Sequence, residues 1–281
     1  MRIFLAGGTG VLGTRLIPRL AAAGHETTAT TRRAERAERL TRLGASPAVI
    51  DVYDAEGLID AVRQARPDVI LHELTDLSDY DTDANARLRR EGTANLVKAA
   101  EEAGVPRILV QSIAWIFPEG AAPATEDDAI IPGSAVDAME QLAGQLPHAT
   151  ILRYGMLYGP DTWYWRGGRT ADAALAGQLP ATPAITSFVH IDDAAAATVS
   201  ALDWPDGVYH IVDDEPAPGT AWIPVFAEQL GAPAPAVEPL PEGRTAGRAV
   251  SNAKARARGW KPEHPSWRDG FAPLARAREE D

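Results

Sequence analysis

Short apolar runs bounded by turn residues recur along the first half of the chain, at Ile3 to Ala6, Glu26 to Thr31, Ala48 to Ile50, Val69 to His72, Ile108 to Gln111 and Thr150 to Leu152. Between most of them the apolar positions fall at helical spacing. Strands that alternate with helices pair in parallel through crossover connections, so the pattern predicts an α/β fold with a doubly wound parallel sheet. Gly24, Gly44 and Gly104 each close a helical stretch, where a chain leaving a helix needs positive φ. After about Asp161 the rhythm breaks, and Pro and Gly rise through 177 to 184 and 205 to 243. The expected organisation is a main domain over 1–160 and a smaller interwoven C-terminal lobe over 161–281. Within that lobe IDDAAAATVSAL (191–202) reads as a helix, and about 187–204 is expected to return to the main domain.

Composition narrows this picture. The 281 residues, 45% hydrophobic and 23% charged, suit one large α/β unit with an appended lobe. No apolar run approaches the roughly 18 residues that a membrane span needs, and Met1 leads straight into a strand pattern without the features of a secretory signal. A soluble, cytoplasmic protein is expected. The absence of cysteine excludes disulfides, thiolate metal sites and cysteine nucleophiles, and no metal site is expected. Net charge is −12, and the 24 arginines and 3 lysines are scattered among acids. That argues against nucleic acid or an anionic membrane as partner and leaves a small-molecule substrate, with a homodimer open.

The first strand and helix carry the candidate chemistry. In IFLAGGTGVLGTRL (3–16) three glycines follow a strand and open a helix. In that setting backbone N–H groups and a helix N-terminus meet a pyrophosphate. Gly7 permits the tight turn, Gly10 the close approach of phosphate, and Gly13 the packing of helix on strand. Val11 and Leu12, in the same turn, complete this part of a dinucleotide site. A second strand that binds NAD usually ends in an acid; here it ends ETTATTRR, with Thr31 in the acid's place. Arg32 and Arg33 suit a 2′-phosphate through charge-assisted hydrogen bonds, which favours NADP over NAD.

With these residues the chain resembles the extended, atypical branch of the short-chain dehydrogenase/reductase superfamily, the NAD-dependent epimerases and dehydratases. VIDVYD (49–54), DVILHELT (68–75), EGTANLVKAAEEAGVPRILVQS (91–112), LRYGMLYGP (152–160) and SFVHIDDAA (187–195) are similar to its successive motifs. The resemblance implies that Asp51 and Val52 lie at the adenine, that Leu74 and Thr75 lie against the cofactor, and that Tyr154 lies in the segment passing the nicotinamide. It also exposes a departure. The family's proton transfer uses a Tyr with a Lys four residues on, the ammonium lowering the phenol's pKa. The lysines here, Lys98, Lys254 and Lys261, follow Ala94, Val250 and Ala257, so no such pair exists. Matching Glu140 to the family's helix puts Pro132 and Val136 at the two positions. The catalytic Ser/Thr position falls on Ile113, and Arg89 replaces an Asn that often precedes the Gly-Thr pair.

Tyr158 and Ser112 are the candidate replacements, as general acid and as hydrogen-bond donor to a substrate oxygen. Tyr158 is otherwise a packing residue, and His190 is expected to be structural. Glu73, Asp76, Asp79 and Tyr80 are weaker candidates in the loop after the fourth strand. In DTWYWRGGRTAD (161–172), Trp163 or Trp165 could cover a substrate and Arg166 or Arg169 receive an anion. Three functions fit: an NADP(H)-dependent oxidoreductase or epimerase acting on a small carbonyl, hydroxyl or sugar substrate, a non-redox enzyme, and an NADP(H) sensor.

Overall fold

A computed structural model of the chain describes residues 1–77 and 81–276. Strand and helix alternate from the start: β1 (Arg2–Ala6), α1 (Gly13–Ala22), β2 (Glu26–Thr31), α2 (Ala37–Leu43), β3 (Ser46–Val49), α3 (Ala55–Ala65) and β4 (Val69–His72). Next, α4 (Thr82–Arg87) runs through a π-helical turn (Leu88–Gly92) into α5 (Thr93–Ala103), followed by β5 (Arg107–Ile113), α6 (Ala135–Ala143) and β6 (His148–Tyr154). The later elements are β7 (Met156–Tyr158), α7 (Arg169–Leu175), β8 (Ile185–Thr186), β9 (Phe188–His190), α8 (Ile191–Ser200), β10 (Gly207–Ile211), β11 (Ala217–Pro218) and α9 (Gly219–Leu230). Short helices α10 (Ala253–Ala257), α11 (Trp267–Phe271) and α12 (Pro273–Arg276) close the described chain. Among the described residues no helix is long and apolar enough to cross a membrane.

The sheet is seven-stranded and parallel, in the order β10-β6-β5-β4-β1-β2-β3. Its order reverses between β1 and β4, which pair from Ile3 opposite Val69 to Ala6 opposite His72. The central strands are buried on both faces, which is why they read as continuous apolar runs. All six expected runs are strands, β3 starting two residues earlier than the pattern suggested. The seventh, β10, lies where Pro and Gly enrichment had pointed to lobe and loop. Its five residues GVYHI carry too short a signal to stand out from that background. Gly44 and Gly104 cap α2 and α5 at φ 104° and 69°, in the left-handed region that a side chain resists. Pro18 sits within α1, which continues through it to Ala22.

The chain divides into two compact units that interleave in sequence: Met1–Ser112, Ile131–Leu152 and Thr198–Val208 form the first, and Ile113–Ile130, Arg153–Ala197 and Tyr209–Asp281 the second. The interleaving is finer than one boundary at 160 with a single return. In the first unit α1 packs on α2, and α3, α5 and α6 pack in a row. The second unit is built on an aromatic core in which Phe188 meets Tyr158, Tyr164, Trp222 and Phe271 edge to face, with ring centroids 5.2–5.9 Å apart. Such pairs add about 0.5–1.5 kcal/mol each beyond the area they bury.

His72, at the end of β4, is fully buried with Nε2 2.9 Å from Thr93 Oγ1, and its Nδ1 accepts the Leu74 N–H at 3.3 Å. Desolvation, helped by the nearby Arg89 charge, lowers its pKa from 6.5 to about 4. The native state therefore holds His72 neutral while the unfolded chain protonates it, and stability present above pH 6.5 is lost as pH falls through 4. A drop from 6.5 to about 4 corresponds to about 3 kcal/mol. Urea unfolding across that window should show a loss of this size in the wild type and a flatter profile in His72→Gln; equal slopes would remove His72 as the cause.

Candidate functional site

The glycine turn is set by three close approaches. Gly7 lies at φ 103°, its N–H donates to Thr30 Oγ1 at 3.0 Å, and a Cβ there would come within 2.7 Å of the Glu73 carbonyl oxygen. The residues just after β1 and β4 thus meet through a position that only glycine fills. Gly10 N–H donates back to Gly7 O at 3.0 Å. At Gly13 a Cβ would collide with the Gly7 carbonyl oxygen and come within 2.9 Å of Gly8. Gly10 differs: a Cβ there would meet only Gly7 O, at 3.3 Å, so the turn is open on that side.

Behind the turn, α1 starts at Leu12 with no side-chain cap and no acid in its first turn. Val11 is exposed and Leu12 is buried; the Thr14 N–H already donates to Gly10 O at 3.0 Å, so among the described residues the N–H groups of Leu12 and Gly13 are the ones left for an anion. An open glycine turn, a small-residue approach and an uncapped helix N-terminus together fit a dinucleotide pyrophosphate.

Around the turn, the Thr31 hydroxyl accepts the Arg33 N–H at 3.2 Å and does not stand free at the strand end. Arg32 is exposed and pairs with Asp76 at 3.5 Å. Arg33 is exposed and leads into a short 3-10 turn. Asp76, read from sequence as a substrate-cleft candidate, is therefore spent on the arginine that was to read the 2′-phosphate. Its own N–H is held by Asn85 Oδ1 at 3.0 Å.

Asp51 is exposed and accepts the Tyr53 N–H at 3.0 Å, while Val52 is buried and its carbonyl accepts Asn95 Nδ2 at 3.0 Å. Asn95 thereby ties α5 to the segment after β3. Leu74 is half-buried and Thr75 exposed. Glu73 is buried, and Asp79 and Tyr80 lie outside the described residues.

The proton-transfer candidates are placed less favourably. Ser112, near the end of β5, is buried, and its hydroxyl donates to Glu140 Oε1 on α6 at 2.5 Å. That donor is already committed, so Ser112 ties β5 to α6. Sequence had used Glu140 only as a register mark. At the two positions of the family's Tyr and Lys, Pro132 is exposed and Val136 buried, and neither carries a titratable group.

In the second unit Tyr158 is fully buried, and its hydroxyl has no hydrogen-bond partner among the described residues. Burial and nearby carboxylates raise its pKa far above the ordinary phenol range. It packs with Phe188, His190 and Phe271 at centroid distances of 5.1–5.9 Å, an arrangement that argues for packing and against proton donation. Tyr154 is buried, and its carbonyl accepts the Ala114 N–H at 2.9 Å.

His190 accepts the Asp192 N–H at 3.2 Å and stacks on His264 at 3.7 Å. His190, Asp193 and His264 are the one group among the described residues that could hold a metal ion. The Asp193 carboxylate is instead filled by the N–H groups of Glu263 and His264 and by His264 Nδ1, which ties the C-terminal segment to α8. Arg166 is occupied as well. It donates to Leu230 O, at the end of α9, and to Leu274 O at 3.0–3.3 Å, so it closes helix ends and is not available to a ligand. Trp163 and Trp165 pack partly buried against the aromatic core, and Arg169 is exposed at the start of α7.

Comparison with known proteins bears on the family and the fold. A family described as NAD(P)H-binding matches residues 7–162. A 3-diazoavenalumate denitrifying reductase from a Streptomyces species is 41% identical over 96% of this chain and 99% of its own length. The human epimerase family protein SDR39U1 is 28% identical over 83% of this chain and 80% of its own. Among solved structures, the UDP-glucose 4-epimerase of Thermus thermophilus in complex with NAD superposes with TM-score 0.80 at 24% identity, covering 98% of each chain. Bordetella bronchiseptica WbmG with NAD and UDP gives 0.82 at 23% identity over 100% of this chain and 95% of that one. At these identities the structures speak for the fold.

The placement of Tyr158 has a direct consequence. Tyr158→Phe removes a buried hydroxyl that has no partner, whose desolvation costs about 1–3 kcal/mol. The variant should melt at or above the wild-type temperature and keep wild-type turnover; a loss of 100-fold or more, the size of a missing general acid, would restore Tyr158 as the proton donor.

Proposed function

The chain belongs to the NAD(P)H-binding family within the short-chain dehydrogenase/reductase superfamily, and we propose that it is an NADPH-dependent reductase of a small electrophile that works without a protein-borne proton relay. One observation carries the reading: the turn that fits a dinucleotide is intact, while exposed Pro132 and buried Val136 occupy the positions of the proton-transfer pair. A reaction that needs hydride but no acid fits such a site.

The denitrifying reductase that shares 41% identity over almost the whole length supplies a chemical precedent, since its named substrate is a diazo carboxylate. NADPH, when bound, supplies a hydride, and on a diazonium carbon the balance R–N2⁺ + NADPH → R–H + N2 + NADP⁺ closes with no proton taken up or released. The carbon–nitrogen bond breaks with its electron pair leaving on dinitrogen, so no oxyanion forms for a Tyr to protonate. Epimerase chemistry, in contrast, has to move a proton off and onto a sugar hydroxyl, and Pro132 and Val136 offer no group for it. The chain's own part is to bind and orient. The open side of the turn at Gly10 and the uncapped N-terminus of α1 would hold the diphosphate, and Val52 and Asn95 would shape the adenine end.

Arg32 is assigned to the 2′-phosphate of NADPH, with Asp76 its partner until the cofactor arrives. Arg32→Ala should cost about 1.5–3 kcal/mol, on the order of 10- to 100-fold in NADPH affinity, with little change for NADH. Asp76→Asn should shift preference further toward NADPH, because it frees the guanidinium and removes a negative charge from beside the phosphate. Calorimetric titration of both cofactors checks this, and equal losses for NADPH and NADH would remove Arg32 from the phosphate.

The reaction itself is tested with 4-deuterated NADPH and an aryl diazonium carboxylate. Deuterium should appear on the product carbon with one dinitrogen released per cofactor oxidised. Substrate conversion without cofactor oxidation would point to non-redox chemistry, and cofactor binding with no label movement to a sensor.

A further inference from the structure

Arg89 stands in the π-helical turn between α4 and α5. Four residues before it, Asn85 Oδ1 accepts the Asp76 N–H at 3.0 Å; four residues after it, Thr93 Oγ1 lies 2.9 Å from His72 Nε2. Residues four apart share a helix face, so Arg89 lies on the face that covers the segment from His72 to Asp76 as it leaves β4. That segment borders the point between β1 and β4 where the strand order reverses, the place at which doubly wound sheets receive ligands.

Arg89 is half-buried, and among the described residues its guanidinium makes no hydrogen bond and no ion pair. Burial shifts its pKa downward, no carboxylate among the described residues offsets the cost, and its charge in turn helps hold His72 neutral. A partly desolvated arginine with no acid partner among the described residues calls for an anion. π-Turns of this kind break the regular helical ladder and concentrate at functional sites.

Three anions are at hand under the reductase reading, the 2′-phosphate and the diphosphate of the cofactor and an acidic group of the substrate, and the first is assigned to Arg32 just past β2. The diphosphate already has the Gly7–Gly13 turn and the N-terminus of α1, both on the β1 side. Arg89 belongs to the helix over β4. We propose that Arg89 receives the carboxylate of the substrate, so that the substrate class is a small, flat aromatic acid; the proposal rests on the reductase reading above and deepens it. Aromatic rings are the carbon frameworks on which a diazonium group persists long enough to be a substrate, because conjugation with the ring slows loss of dinitrogen. A guanidinium gripping a carboxylate through two hydrogen bonds fixes such a ring in direction as well as in place.

The test uses cinnamate and its neutral amide, cinnamamide, titrated calorimetrically onto the NADP⁺-saturated protein. The wild type should bind the acid on the order of 10-fold or more tightly than the amide. Arg89→Gln should abolish that preference through a roughly 10- to 100-fold loss for cinnamate, leave NADP⁺ affinity within about twofold, and melt no lower than the wild type. Arg89→Lys should retain part of the preference. The proposal is overturned if the wild type does not prefer the acid, including by binding neither probe, or if Arg89→Gln keeps the preference. A proportionate loss of NADP⁺ affinity, or a lower melting temperature, also overturns it, by assigning Arg89 to the cofactor or to the fold. None of these readouts needs turnover. An acid preference that follows Arg89 while no deuterium reaches a diazonium carbon would bring down the reductase reading alone.

Discussion

The absence of a side chain at Gly7 is the constraint on which the site depends. Because the Glu73 carbonyl comes within 2.7 Å of where a Cβ would be, the turn after β1 and the segment after β4 lie in direct backbone contact. The Gly7 N–H, bonded to Thr30, adds β2 to the same junction. Gly13 then lets α1 start hard against the turn, with the Thr14 N–H closing back onto Gly10 O and the N–H groups of Leu12 and Gly13 facing its open side. Every other feature is held at a distance from this junction: Arg32 just past β2, Val52 past β3, His72 and Leu74 at and past β4. A doubly wound sheet places its ligands where the strand order reverses, and here that reversal is packed tightly enough to act as a rigid floor.

Charge is handled differently on the two sides of that floor. Arg32 is exposed and has an acid beside it, so its pairing is weak and exchangeable, a contact that the 2′-phosphate of the proposed NADPH would displace at small cost. Arg89 is half-buried with no acid partner among the described residues, so its desolvation is not offset there, and on the proposed reading a substrate anion supplies the balance. His72 sits between these regimes. Full burial and the Arg89 charge keep it neutral, which lets its Nδ1 accept the Leu74 N–H and its Nε2 bond Thr93 at any pH near neutrality. A protonated His72 would lose the first of these bonds and repel Arg89, so the neutral ring and the uncompensated guanidinium are one arrangement.

Much of this was legible in the sequence because it is local. The strand rhythm, the glycine spacing, the Thr31 and Arg32 substitution at the end of β2 and the missing Tyr and Lys pair all lie within windows of a dozen residues or fewer. What was not legible depends on partners far apart in the chain. Asp76 reads as a loop acid until the fold brings it to Arg32, and Ser112 reads as a donor one residue out of place until Glu140 accepts its hydrogen bond. Arg166 looked available because nothing local showed that it would close the carbonyl ends at Leu230 and Leu274. The π-turn escaped because the resembling motif begins only at Glu91, whereas the helix begins nine residues before it, at Thr82. β10 escaped for the opposite reason, five residues being too few to show a period above a Pro-rich background.

The loss of the proton relay need not loosen the site around it. In the family's arrangement the helix following β5 carries both chemistry and packing, and here α6 keeps the second alone. Ser112 and Glu140 fasten it to β5 through a buried 2.5 Å hydrogen bond, and Val136 and Met139 bury against the same unit. A lysine at position 136 would bring a cation into that buried surface, a cost justified only where a phenol has to be ionised beside it. Once the leaving group is a neutral gas and the nucleophile is a hydride, that justification is gone, and a valine fills the position with ordinary core packing. On the proposed reading the requirement moves from moving a proton to holding the electrophile, which is the task a fixed guanidinium on the helix over β4 performs. The departure from the family pattern at Pro132 and Val136 and the arginine at position 89 are then two sides of a single change in chemistry.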